Sequence, residues 1–130
     1  MPTPRTAHEL PAKGKALLRV IVGEIRSARI DPKNQRTFIP YSEALAALGQ
    51  PNPEEFSGRR LQREGLTELN EWTRAATGLP HVCGLIVNKS TWLPSEGYSE
   101  SHGFPAGTNW EAWWRTQTAD SVTFDWSPYL

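Results

Sequence analysis

Apolar residues recur at three- and four-residue steps from Ala12 to Ile30 (Leu17, Leu18, Ile21, Ile25 and Ala28), which predicts one long helix with a single buried face. Lys13, Lys15, Arg19, Arg26 and Arg29 fall elsewhere on its wheel and read as a solvated basic side. Pro11 suits a first turn, so the helix is expected to begin near Leu10. Asp31-Pro32-Lys33-Asn34 should stop it with turn chemistry. Arg36–Ile39 (RTFI) is β-branched and aromatic and reads as a short strand.

A second, short helix follows. Ser42 is its expected cap and Gly49 its stop. A third helix is predicted over Ser57–Thr77, with Leu61, Leu66, Leu69, Trp72 and Ala76 on its apolar side. Gly65 in its middle predicts a bend, a split or a close approach, because glycine costs a helix interior about 1 kcal/mol relative to alanine. Leu79–Tyr98 carries an apolar run (Val82, Cys83, Leu85, Ile86, Val87) that reads as a buried strand. Its continuation, Asn88-Lys89-Ser90-Thr91 with Pro94 and Gly97, reads as an ordered loop. Thr108-x-x-Glu111 is a capping box that opens a last helix. Val122, Phe124 and Trp126 alternate with Thr123 and Asp125, which predicts a closing strand.

Helix, strand, short helix, longer helix, then strand and loop is the order of a winged helix-turn-helix. The expected class is therefore α+β, with a winged helix-turn-helix-like core and an added C-terminal helix and strand. Residues 1–10 read as a flexible arm and 11–130 as a single domain, large enough for one ordinary core.

Composition narrows the function. The chain balances 14 Lys and Arg against 14 Asp and Glu, so it has no overall signature of a nucleic-acid binder. The balance is uneven along the chain, however. Residues 1–38 carry eight basic side chains against three acidic, and residues 79–130 carry two against five. That asymmetry reads either as a basic face or as a charge match between packed halves. A lone cysteine excludes an internal disulfide, and no apolar stretch approaches the roughly 20 residues that span a bilayer, so a cytoplasmic protein without membrane contact is expected.

Candidate chemistry concentrates in three places. Arg59, Arg60 and Arg63 crowd the start of the third helix behind Ser57. There the positive dipole end and the guanidinium forks would suit phosphate and guanine. With Tyr41 on the preceding helix and Asn88 and Lys89 beside the following strand, they form the expected nucleic-acid site, with duplex DNA as partner. The alternative reading of the three arginines is an exposed face paired with Glu55, Glu64 and Glu68. Trp110, Trp113 and Trp114 share one helical face, expected to be core; exposed, and joined by Trp92, it would be a protein-binding or base-stacking surface. Cys83, two residues from His81, would share a face with it on a strand, which raises a nucleophile as a third possibility beside a small buried hydrophobe. His8, His81 and His102 have no metal-ligand spacing, and no cofactor is expected.

Two resemblances follow from these residues. FIPYSEALAALG, SGRRLQREGLTELNEW and GLPHVCGLIVNKSTWLPSEGY, spanning residues 36–98, resemble uncharacterised small bacterial proteins with a LVVNKxTGLPGEGF-type pattern; Trp92 and Ser95 stand where that pattern has glycine. The resemblance implies no particular activity. The same region is more weakly similar to the winged-helix domain of DNA alkyltransferases and alkyltransferase-like proteins, which implies a DNA-binding architecture and lays Cys83 on the reactive-cysteine position. Val82, Gly84 and Leu85 replace the proline, histidine and arginine around that cysteine, which puts alkyl transfer in doubt.

Overall fold

The computed structural model describes residues 10–49, 60–75, 79–94 and 110–130, with nothing given for the side chains of 74 and 75. Among these residues the protein is helix-rich α+β, with four α-helices and a two-stranded sheet. Helix α1 spans Ala12–Arg26 and buries Gly14, Leu17, Leu18, Ile21 and Val22; Leu17, Leu18 and Ile21 lie on the predicted face, whereas Ile25 is half-buried and Ala28 is exposed beyond the helix end. Its end comes four residues before the predicted one. Ser27 closes it by donating its N–H to the Gly23 carbonyl, and Ala28 takes a left-handed φ of 62°. Glycine usually fills that position because a Cβ costs about 1–2 kcal/mol there. Ala28→Gly is therefore expected to stabilise the fold by about 0.5–1 kcal/mol, once glycine's extra unfolded-state entropy is subtracted. A higher urea midpoint at unchanged slope would register it.

Asp31 and Asn34 form the expected turn. The Asp31 carboxylate accepts from the Lys33 N–H at 3.0 Å, and the Asn34 side chain accepts from the Arg36 N–H at 3.2 Å. That second bond begins a 3₁₀ turn, Gln35–Thr37, where a strand was expected. The Thr37 hydroxyl reaches back to Asp31 and Asn34, and such local bonding draws the backbone away from a ladder. Strand β1 is therefore only Ile39–Pro40, and Pro40 has no N–H with which to extend it. Helix α2, Tyr41–Ala47, follows at once from Pro40, one residue before the predicted Ser42 cap, and Gly49 ends it at a φ of 77°.

The third predicted helix is split at the glycine that marked it. Arg60 and Leu61 are helical, and Gln62–Leu66 is a widened turn broken at Glu64 and at Gly65, whose φ is 131°. Helix α3, Thr67–Ala75, then sets off anew. The cause is a close crossing: a Cβ on Gly65 would lie 2.4 Å from the Lys13 carbonyl oxygen. Gly14 faces the same contact, where a Cβ would lie 3.1 Å from the Glu68 Cβ. Two helices approach this closely only where both lack side chains. α1 has no side-chain cap of its own, and Glu68 supplies one from α3 by accepting the Gly14 N–H at 2.8 Å.

The apolar run after α3 is not one strand either. Val82–Leu85 forms a 3₁₀ turn, held by Val82 N–H to the Pro80 carbonyl and Gly84 N–H to the His81 carbonyl. Only Ile86–Val87 is strand, β2, and it pairs parallel with β1 in the register Ile39 to Ile86 and Pro40 to Val87. A parallel pair needs a long crossover, which α2, α3 and their connections provide.

Helix α4 spans Trp110–Thr123, and the predicted closing strand is absent: Phe124 still donates to the Asp120 carbonyl, and Ser127–Tyr129 is a 3₁₀ turn. The hydroxyls of Thr118, Ser121 and Thr123 bond carbonyls one turn back, so this polar stretch is satisfied as helix. Trp126 folds back on the helix end and donates its indole N–H to the Ser121 carbonyl at 2.9 Å. An alternating pattern was thus overridden by tertiary docking. One core unites the apolar faces of α1, α2 and α3, the two strands and the Val82–Leu85 turn with Trp72, Trp114 and Trp126.

Candidate nucleic-acid interface

The crossing of α1 on the Gly65 kink gathers cations that are about fifty residues apart in sequence. The Lys13 ammonium donates to the Arg63 carbonyl at 3.3 Å, one of the acceptors left open where that helical segment ends. It also lies 3.7 Å from one Glu64 carboxylate oxygen, while Arg60 Nε lies 3.8 Å from the other. Arg63 is exposed, Arg60 is half-buried, and Lys13 retains 57% of its side-chain surface. Lys13 and Arg60 therefore flank the Glu64 carboxylate on a cationic ridge, and exposed Arg63 is the residue before Glu64. Sequence periodicity could not find Lys13 as a member, because it read as one of several solvated cations on α1. Gly65 was the available signal, since an in-helix glycine marks a close approach. Ser57 and Arg59 lie outside the described residues.

Tyr41 does not join this ridge. It is the first residue of α2 and lies in the core at 7% exposure, so its role is packing rather than contact with a groove.

The turn after β2 is built tightly. Asn88 pairs with Leu93 through its backbone, accepts the Trp92 N–H at its carbonyl, and accepts the Ser90 N–H at its side chain. Asn88 thus shapes the turn, a structural use that its placement beside a strand did not reveal. Lys89, Ser90 and Thr91 project from it and are exposed. Trp92 adopts a φ of 58°, a left-handed conformation that explains why glycine would suit this position. Its carbonyl accepts the Gln35 amide at 2.9 Å, and the Gln35 oxygen in turn accepts from Arg115 on α4 at 2.8 Å. The turn is thereby fastened both to the Gln35–Thr37 segment and to α4.

The tryptophans divide. Trp114 has no exposed surface; it meets Phe38 edge-on and donates its indole N–H to the Gly84 carbonyl at 2.7 Å. That burial removes Trp114 from any binding surface. Trp92, Trp110 and Trp113 remain half-buried, and Trp113 packs against the His81 ring at 4.9 Å between centroids.

Cys83 is 2% exposed, and burial pushes its thiol well above the ordinary range, so the thiolate that nucleophilic chemistry needs is disfavoured. Because Val82–Leu85 is a 3₁₀ turn, the shared strand face expected for His81 and Cys83 does not form. Among the described residues no cluster of His, Cys, Asp and Glu could hold a metal ion.

Arg29 and Asp125 have structural roles. Arg29, expected on a solvated helix face, lies past the end of α1 and bonds Glu43, Glu24 and the Phe38 carbonyl. Its hydrogen bonds to Glu43 hold the guanidinium even more firmly protonated than usual. Asp125 accepts the Ser127 N–H at 3.0 Å, which holds its carboxyl below the ordinary range. It borders a cleft of about 600 Å³ between Leu79-Pro80 and the end of α4, where Gln117 accepts the His81 N–H. No described helix is long and apolar enough to cross a membrane. Compared with protein-family models, curated proteins and solved structures, the chain matches none.

Proposed function

We propose that the protein is a small, non-enzymatic binder of duplex nucleic acid with a winged-helix-like arrangement. The helical segment that ends at the Gly65 kink meets the duplex, and the Asn88–Leu93 turn lies against the backbone as a wing. The observation that carries this reading is the gathering of Lys13 and Arg60 about Glu64 by the α1 crossing, with exposed Arg63 next to them in the chain. A fold with equal numbers of acidic and basic residues has no reason of overall charge to concentrate cations there. Exposed Lys89 on the fastened turn supplies a further cation. Arginine and lysine on such a ridge act first through phosphate, where each neutralised charge releases counterions.

Titration of a labelled duplex at several salt concentrations tests this. Affinity is expected to fall with salt at a logarithmic slope of roughly 0.9 per phosphate contacted. Arg60→Ala and Arg63→Ala should each weaken binding and reduce that slope by about one. Absence of binding at low salt, or unchanged slopes in both variants, would reject the reading.

A second reading is favoured by the half-buried Trp92, Trp110 and Trp113: a protein-interaction module that uses this aromatic surface. The same titrations separate the two, because a purely protein-binding module has no salt-dependent affinity for duplex.

A further inference from the structure

We propose that Trp92 is a base-contacting residue: held on the Asn88–Leu93 turn, it stacks its indole on a base that the duplex leaves unstacked. This deepens the turn's assignment to the nucleic acid and rests on that reading. Trp92 sits at a φ of 58°, where a Cβ is costly and a large aromatic residue is a rare occupant. The turn itself does not call for a tryptophan. The Trp92 N–H donates to the Asn88 carbonyl at 2.6 Å, and the Trp92 carbonyl accepts the Gln35 amide at 2.9 Å. Both bonds run through the backbone, so glycine would make them without the strain. Strain held at such a position points to a use for the side chain.

Packing accounts for only part of that use. The ring is half-buried against the core, and the rest of it is open to solvent. The other tryptophans are committed within the fold. Trp114 and Trp126 donate their indole N–H to carbonyls, while Trp72 meets the Tyr129 ring, Trp110 meets Trp114 and Trp113 meets His81. Trp92 does neither among the described residues. Its neighbours in the turn are the exposed Lys89, Ser90 and Thr91, and no carboxylate occurs from Asn88 to Leu93. A cation beside an aromatic face suits a nucleic-acid strand, with lysine at phosphate and the ring at a base. Bases inside a regular duplex already stack on one another, so the ring's target is a base without such a neighbour. The bonds through Gln35 to Arg115 fix the turn on α4 in advance, so the contact orders little further.

The test measures binding of the full-length chain to two labelled duplexes in one buffer, one fully paired and one carrying a single bulged base. The unchanged chain is expected to bind the bulged duplex about fivefold more tightly, the lower end of what one base stacked on an aromatic ring contributes. Trp92→Phe should keep most of that preference. Trp92→Leu retains apolar packing without an aromatic face, and it should lose the preference. Trp92→Gly should lose it too, with a urea midpoint near that of the unchanged chain, because relief of the left-handed strain offsets the packing lost. Lys89→Ala should weaken both duplexes alike and leave the preference in place. A preference that survives in folded Trp92→Leu overturns the inference, as does a Trp92→Leu chain too unstable to fold, since the ring would then be core. Equal binding of both duplexes by the unchanged chain also overturns it; the cationic ridge then stands, and the indole is left to packing or to a protein partner. No binding of either duplex rejects the nucleic-acid reading and this inference together.

Discussion

Gly65→Ala is expected to destabilise the protein by about 4 kcal/mol, a large share of the roughly 5–15 kcal/mol that an ordinary domain has. Two costs combine. At a φ of 131° an alanine is held where L side chains rarely go, a strain of about 1–3 kcal/mol. Its Cβ would also meet the Lys13 carbonyl oxygen at 2.4 Å and the Lys13 carbonyl carbon at 2.8 Å, both backbone atoms that no rotamer change can move aside. Relief requires α1 to move away from the kink, which costs about 1–3 kcal/mol as overpacking does elsewhere. It would also pull the Gly14 N–H from Glu68 and Lys13 from the Arg63 carbonyl. Urea unfolding followed by tryptophan fluorescence measures the loss. A change below 1 kcal/mol would mean that the two helices do not cross at this distance. Any Gly65→Ala protein that still folds should also bind duplex poorly, because the cationic ridge depends on the same crossing.

Trp114→Ala should cost about 3–5 kcal/mol, the range for truncation of a large buried aromatic side chain. The indole is fully buried, packs against Phe38 at 5.7 Å between centroids and lies beside Trp110 at 6.3 Å. Its N–H satisfies the buried Gly84 carbonyl. Trp114→Phe separates the contributions: it keeps most of the volume but leaves that carbonyl unpaired, so about 1–3 kcal/mol of the loss should remain. Trp113→Ala, at a half-buried position on the same helix, should cost clearly less. If Trp113 and Trp114 proved equally costly, the division of the tryptophans between core and surface would be wrong. Thermal or urea unfolding of the three variants in one buffer provides the comparison.

The elements that were legible in sequence are those whose signal is local and repeated. α1 declared its buried face through Leu17, Leu18 and Ile21, and Gly49 declared the end of α2. Gly65 announced a disturbance in the third helix, and Asp31 to Asn34 announced a turn. In each case the cause is carried by a few neighbouring residues: periodicity, a missing Cβ, or a side chain bonding its own backbone. Short apolar and alternating stretches were less readable. RTFI, Val82–Leu85 and Val122–Trp126 each satisfied a strand pattern, yet Arg36 and Thr37, Val82–Leu85, and Val122 and Thr123 bond locally as 3₁₀ turns or helix, and of these stretches only Ile39 is strand. A strand needs a partner edge, and the β1–β2 pairing uses only two residues from each side.

The candidate site divides in the same way. Arginine content at residues 59–63 and the exposed Lys89 could be read directly, whereas Lys13 and the place of Glu64 could not. Their proximity arises from the packing of α1 on a broken helix, a contact between residues about fifty positions apart. Likewise, nothing local distinguishes Trp114 from Trp113; one helical step decides which indole finds the Gly84 carbonyl and which remains at the surface. The sequence alone determined the helical faces, the turn chemistry and the position of the break, because these follow from backbone sterics and short-range hydrogen bonds. Tertiary structure decided where the strands end, which tryptophans are core and which cations share a ridge, because burial and electrostatics depend on residues that only the folded chain brings together.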